Sequence, residues 1–287
     1  MGTTLAARIT AAPLARASRT LGLVVAGTLV GCADPPTGAA PTAVPPPSAL
    51  IAGAPTGDQF GNVALMVGRT GPGAPWGPVC TGTLIAPDVV LTAGHCVFLA
   101  SRFDGYTEFG VTFAPQLSPA APVVKAVEHV HPDFFFPFAT PDDPYDAFDL
   151  AVLVLEAEVD LIPAQLPPPG LLDDIRQFSG PLTVVGYGIP RADASFAERG
   201  TRRAGAVRLD EVFAPLFSTT PDPAVGCVGD SGGPIFRGPP KSHRGRRGGT
   251  MLLGVAHNSD CSSWMAFYRL DTPQARSFLA AFVDLPG

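Results

Sequence analysis

Apolar residues fall along this chain in short runs of β-forming side chains, and each run stops at a turn carrying glycine or proline. The runs are Val63–Val67, Thr81–Ile85, Val89–Thr92, Val123–Val130, Leu150–Leu155, Leu182–Gly186, Ile235–Phe236 and Met251–His257. Short strands recurring between turns predict an all-β barrel or sandwich. The one helix predicted comes last, about 273–283, where Ala275, Phe278, Leu279 and Phe282 share a face at i, i+3, i+4 and i+7 spacing. Pro273 suits its first turn, where the missing N–H costs nothing. No internal repeat is visible.

The first 50 residues do not follow this pattern. Arg8, Arg16 and Arg19 precede an apolar run from Leu21 to Gly31. It is shorter than the about 20 residues a membrane-spanning helix needs, and it suits the core of a signal peptide. It ends Leu29-Val30-Gly31-Cys32, which resembles the lipobox of bacterial lipoproteins. That resemblance implies cleavage before Cys32 and acylation of that cysteine, anchoring an exported protein to a membrane on the periplasmic or outer surface. The alternative is an ordinary secretory signal and a secreted chain. The next stretch, ADPPTGAAPTAVPPPSAL, has no hydrophobic period and many prolines, and reads as a semi-extended tether or a short propeptide. The chain therefore divides into a leader at 1–31, a tether at 32–50 and a folded domain at 51–287.

Charge narrows the function. A net charge of −6 leaves no basic excess for a nucleic-acid surface. The one basic run, Lys241 to Arg247, sits between glycines and prolines and reads as an exposed hairpin loop. The cysteines number 5, and setting Cys32 aside leaves an even set, consistent with disulfides in an oxidising compartment. Three connectivities are open for about four such cysteines. Histidines and cysteines do not fall at metal-ligand spacing, so neither metal nor organic cofactor is expected.

Candidate chemistry centres on Gly229-Asp230-Ser231-Gly232-Gly233-Pro234. A hydroxyl is a weak nucleophile at neutral pH and needs a base, a group to orient that base, and donors for the oxyanion that forms. The flanking glycines permit a tight, uncovered turn in which the amides of Gly229 and Ser231 converge on a carbonyl oxygen. His95 ends Leu91-Thr92-Ala93-Gly94-His95 after an apolar strand, whereas His129, His131 and His243 read as structural or exposed. Asp149 opens the strongly apolar Asp149-Leu150-Ala151-Val152-Leu153. Burial there costs several kcal/mol unless the carboxylate finds partners, and a histidine ring N–H is such a partner. Asp146, its competitor, has no apolar strand directly after it.

The string around Ser231 resembles the nucleophile motif of the trypsin/chymotrypsin-like serine peptidases, and the other parts follow in that family's order: His95, Asp149, Ser231. The base motif Thr-Ala-Ala-His-Cys is matched with Gly94 in place of one alanine, and the Asp-Ile-Ala-Leu segment is matched at Asp149. The resemblance runs from about Ile51 to the C-terminus and implies two six-stranded antiparallel β-barrels, about 51–165 and 178–271, with the site between them and a C-terminal helix. It implies a monomeric serine endopeptidase acting on protein or peptide substrates. Ser231 would attack, His95 would carry the proton, Asp149 would fix the imidazole, and the amides of Gly229 and Ser231 would hold the oxyanion. It further implies the disulfides Cys80–Cys96 and Cys227–Cys261. A catalytically silent binding or scaffold lipoprotein on the same fold is the alternative, since fold alone does not establish activity.

The chain departs from the family in three places. Val225 stands where a trypsin-like enzyme carries the pocket-base aspartate, with Met265 or Ala266 on the opposite wall, so cleavage after neutral, apolar residues is expected. His257-Asn258-Ser259 replaces the family's substrate-pairing Ser-Trp-Gly, which brings His257 towards Asp149. Ile51-Ala52-Gly53-Ala54 resembles the family's Ile-Val-Gly-Gly terminus, whose freed amine pairs with the aspartate before the nucleophile, here Asp230. Leu50 stands at that junction instead of a basic residue, so activation by cleavage there and activity without it both stay open.

Overall fold

The computed structural model describes residues 52–136, 148–174, 176, 178–238 and 250–287. The leader, Cys32, the tether, the Leu50–Ile51 junction, Asp146 and the Lys241–Arg247 run lie outside the described residues.

The strands in chain order are β1 (Ala54–Pro55), β2 (Val63–Arg69), β3 (Gly77–Ala86), β4 (Val89–Thr92), β5 (Glu108–Thr112), β6 (Val124–Val130) and β7 (Ala151–Leu155). After them come β8 (Leu182–Gly186), β9 (Arg203–Val212), β10 (Leu216–Pro221), β11 (Pro234–Phe236), β12 (Leu252–Ser259) and β13 (Met265–Arg269). The first barrel closes in the order β2-β3-β4-β7-β6-β5. The second runs β9-β10-β13-β12-β11-β8 and closes through the β8–β9 pairing, with β1 laid on β9. All of these pairings are antiparallel, and each barrel has six strands, the chymotrypsin-like fold. β2 and β4 are buried along almost their whole length, which is why they read as continuous apolar runs. β9 instead alternates small apolar with charged positions, Val207 buried and Arg208 exposed, and carries no comparable run.

A helix that the hydrophobic pattern did not predict follows β4 directly: α1, Gly94–Arg102. Its buried face is short, from Gly94 to Ala100, and no capping side chain precedes it, so neither period nor cap marks it. The C-terminal helix α2 spans Pro273–Leu279, shorter than the expected 273–283. The Thr272 hydroxyl caps it, accepting from the Ala275 N–H at 3.3 Å, and residues 280–283 continue as turns.

One buried cation joins the barrels. Arg202, 1% exposed, donates to Thr56 Oγ1, to the carbonyls of Gly57, Val63 and Phe113, and to the Tyr187 hydroxyl, all within 3.2 Å. Tyr187 in turn donates to the Ala114 carbonyl at 2.8 Å, and burial pushes its pKa up to about 12. A guanidinium surrounded by oxygen acceptors tolerates burial without a carboxylate, because each N–H exchanged with water finds a replacement. This knot ties the start of the domain to both barrels and so sets the cleft between them.

Candidate active site

α1 begins without a side-chain cap, since Ala93 precedes it. Asp149 supplies the missing acceptor from just before the neighbouring strand β7: its Oδ1 takes the His95 backbone N–H at 2.8 Å. Its Oδ2 lies 2.8 Å from His95 Nδ1. Phe148, in the left-handed region at φ +47° and stacked on His131, makes the bend that delivers Asp149 just before β7. Gly94 is required by a close approach, because a Cβ there would sit 2.9 Å from the Phe134 ring and 3.2 Å from the Leu150 carbonyl. That accounts for the departure from alanine.

A second imidazole shares the carboxylate. His257 Nδ1 lies 2.6 Å from the same Asp149 Oδ2. Asp149 is fully buried, which pushes its pKa up, but the charge and hydrogen bonds of His95 and His257 outweigh burial and hold it well below the usual carboxylate range.

Ser231 and His95 line one cavity of about 200 Å³. Among the described residues no hydrogen bond joins the two side chains, and His95 Nε2 lies 3.8 Å from the Cys96 sulfur. In sites without substrate such contacts are commonly long and shorten on binding. The loop carrying Ser231 is held in part by Thr81, whose N–H donates to the Ser231 carbonyl at 2.9 Å and whose hydroxyl donates to the Gly229 carbonyl at 2.9 Å. The Tyr187 N–H donates to that hydroxyl at 3.0 Å. The sequence shows Thr81 only as the residue after Cys80, with no pattern marking it as a clamp. Gly232, at φ +77°, sits where a Cβ would collide with the Thr81 carbonyl and the Thr92 hydroxyl. With the Gly229 carbonyl turned to Thr81, the amides of Gly229 and Ser231 have no protein acceptor among the described residues.

Disulfides brace both sides, Cys80 to Cys96 and Cys227 to Cys261. The cavity wall includes His257, Asn258, Ser259 and Met265, whereas Val225 is 2% exposed and packs in the second-barrel core. The Met265 thioether fills the space beside Gly226: a Cβ on that glycine would meet its sulfur and methyl at 2.5 Å. The Ser259 hydroxyl donates across to the Gly226 carbonyl at 2.6 Å, narrowing the same space.

Asp230 is also buried, accepting from the amides of Gly188 (2.8 Å) and Cys227 (2.9 Å). Among the described residues no cation lies within ion-pair distance of it, and burial pushes its pKa up to about 6, only partly offset by those two amides and by the more remote charge of Arg203.

Among the described residues two groups have metal-ligand atoms close together, Cys80 with His95 and Cys96, and His95 with Asp149 and His257. In the first the sulfurs are spent in a disulfide. In the second both Nδ1 atoms sit at hydrogen-bond distance from one oxygen, which a proton on each ring accounts for.

A family model described as Trypsin matches residues 57–262. The chain belongs to the trypsin family of serine peptidases. A trypsin of Saccharopolyspora erythraea is similar to it, 28% identical over 172 residues that cover 54% of this chain and 69% of that protein. The trypsin-family match takes in His95, Asp149, Ser231 and all the paired cysteines.

Proposed function

We propose that this trypsin-family chain is an exported serine endopeptidase working through His95, Asp149 and Ser231. One observation carries the reading: an imidazole fastened to a buried carboxylate shares a cavity with a serine whose loop presents two amides lacking acceptors. In the reaction Ser231 Oγ attacks the scissile carbonyl carbon while His95 Nε2 takes its proton, and the amides of Gly229 and Ser231 bind the oxyanion. His95 then protonates the leaving amine, and water attacks the acyl-enzyme by the same route in reverse. Asp149 keeps hydrogen on His95 Nδ1, which leaves Nε2 as the acceptor.

The pocket favours a neutral, small apolar P1 side chain. Met265 and the Ser259 bridge narrow it, and no carboxylate lines it to offset the desolvation of arginine or lysine. For activation, the Arg203 guanidinium donates to the Gly53 carbonyl just before β1 at 3.4 Å, Arg203 pairs with Gly186 in the sheet, and a Cβ on Gly186 would collide with the Asp230 carboxylate. A free amine at Ile51 would supply the cation that Asp230 lacks. Acylation of Cys32 would tether this domain to a membrane through the proline-rich segment.

Labelling with a fluorophosphonate tests the core of the reading: modification at Ser231, abolished by Ser231→Ala, is expected, and an unreactive wild-type chain refutes it in favour of a silent binding protein. Mass spectrometry of the mature N-terminus separates acylated Cys32, free Ile51 and simple signal cleavage. A peptide-library digest showing preference for arginine or lysine at P1 overturns the pocket assignment.

A further inference from the structure

We propose that His257 is a positioning residue of this site: donating from Nδ1 to the same Asp149 oxygen that His95 uses, it shares the charge that Asp149 offers to the base. The inference rests on the peptidase reading above. An ionised carboxylate only accepts hydrogen bonds, so contacts of 2.8 Å from His95 and 2.6 Å from His257 to Oδ2 require a hydrogen on each Nδ1. The His257 and Asp149 side chains are 0% exposed, so water does not compete for this bond. The rings stand nearly perpendicular, 75° apart with centroids at 6.5 Å, and approach the carboxylate from different directions.

The strand that carries His257 also holds the nucleophile loop. The carbonyl of Ala256 accepts from the Gly232 N–H, and the N–H of Ala256 donates to the Gly233 carbonyl, both at 2.8 Å. The β12–β13 register shifts between Ala256 and Asn258, at His257. Two adjacent residues of β12, Ala256 through its backbone and His257 through its ring, thus couple the carboxylate of the first barrel to the backbone that fixes Ser231. The family's serine at this place in Ser-Trp-Gly brings a hydroxyl that donates without taking up charge, whereas an imidazole can be protonated. Among the described residues, Asp149 and His95 are titratable groups that face His257. β13 brings Ala266 and Phe267 alongside, and Asp230 directs its carboxylate away to the amides of Cys227 and Gly188.

The test measures the rate of fluorophosphonate labelling at Ser231 against pH in the full chain, in His257→Ala, and in His257→Asn, whose amide can donate from near the position of Nδ1. His257→Ala should slow labelling about tenfold, the scale of losing a hydrogen bond to a charged group. It should also move the acid limb of the labelling profile to higher pH, because Asp149 Oδ2 then faces His95 alone. His257→Asn should restore both. Unchanged rate and limb in the alanine variant, or an asparagine variant as impaired as alanine, overturns the proposal. In ¹⁵N-labelled Ser231→Ala protein, NMR should find the His257 proton on Nδ1; a proton on Nε2 alone overturns it independently. A wild-type chain that never labels refutes the peptidase reading, while the NMR result still decides the bond.

Discussion

Each barrel brings one buried carboxylate to the cleft, and their surroundings drive them in opposite directions. Asp149 on the first barrel receives a backbone amide and two imidazoles, which together overcome burial and keep it ionised. Asp230 on the second receives two amides and no adjacent cation, and burial lifts its pKa to about 6. Burial therefore does not decide ionisation by itself; what decides it is which neighbouring elements bring donors or positive charge. Asp149 has its partners within the folded domain, the second imidazole coming from the opposite barrel. Among the described residues Asp230 has no such cation, and this is the gap that the proposed Ile51 amine would fill.

The harshest break of this contrast removes the charge that is already compensated. Asp149→Asn keeps the size of the side chain but lets the amide donate to His95 Nδ1, which places the ring hydrogen on Nε2 and denies Ser231 its acceptor. Labelling or turnover should fall on the order of 10⁴-fold, the scale general for this triad. A fall of only a few-fold, in protein that melts normally, would mean that Asp149 holds α1 in place and does not act on the base.

Stability against pH separates the two carboxylates next. A depressed carboxylate such as Asp149 contributes stability above its unfolded value of about 4 and loses it as pH falls further. Asp230 has the opposite sign: with its folded value raised to about 6, its contribution is complete below about pH 4 and disappears as pH rises to about 6. A shift of about two units corresponds to a loss on the order of 3 kcal/mol across that window. Urea denaturation of the chain with Leu50–Ile51 intact should show this decline. A chain beginning at Ile51 should not, because its amine supplies the cation. Identical curves would exclude an Asp230–amine pair.

A smaller effect is expected where the second barrel borrows order from the first. Thr81→Val keeps the β-branched shape of β3 but deletes the hydroxyl that bonds the Gly229 carbonyl and accepts from Tyr187. The Gly229 peptide then loses its fixed orientation and the oxyanion amides lose theirs. A fall in kcat of about thirtyfold with KM little changed is the expected size for one preorganised donor weakened indirectly, and Thr81→Ser should recover most of it. Equal losses in both variants would trace the effect to packing.

What was legible in the sequence divides along physical lines. The strands that announced themselves, such as β4 and β7, are buried along almost their whole length and read as unbroken apolar runs. β9 was not legible because charged positions such as Arg208 break its apolar run, and β10 and β13 are short stretches whose pairing with each other and with β9 and β12 supplies what local pattern lacks. α1 was hidden because Asp149, 54 residues away, caps it. His95, Asp149 and Ser231 stood out through motif order. Thr81 and Arg202 did not, since a hydroxyl or guanidinium aimed at main-chain carbonyls leaves no trace in spacing.

The mildest change probes the second barrel alone. Met265 stands at the start of β13, 3% exposed, with its thioether in the space beside Gly226. Met265→Ala removes the methyl and sulfur that narrow the cavity without touching Asp149, Asp230 or Thr81. Peptides with leucine or phenylalanine at P1 should gain about fivefold in kcat/KM relative to alanine, the scale of one or two methylene-sized differences in an apolar pocket. The pH window set by Asp230 should not move, because the thioether carries no charge. Thermal stability should fall, since a buried side chain is truncated. A P1 profile identical to wild type would remove Met265 from the pocket wall and leave the Ser259–Gly226 bridge as the element that limits side-chain size. If instead the gain appeared together with a shifted Asp230 window, then the cavity and the activation carboxylate would share one packing network, and the second barrel would couple substrate size to its own maturation.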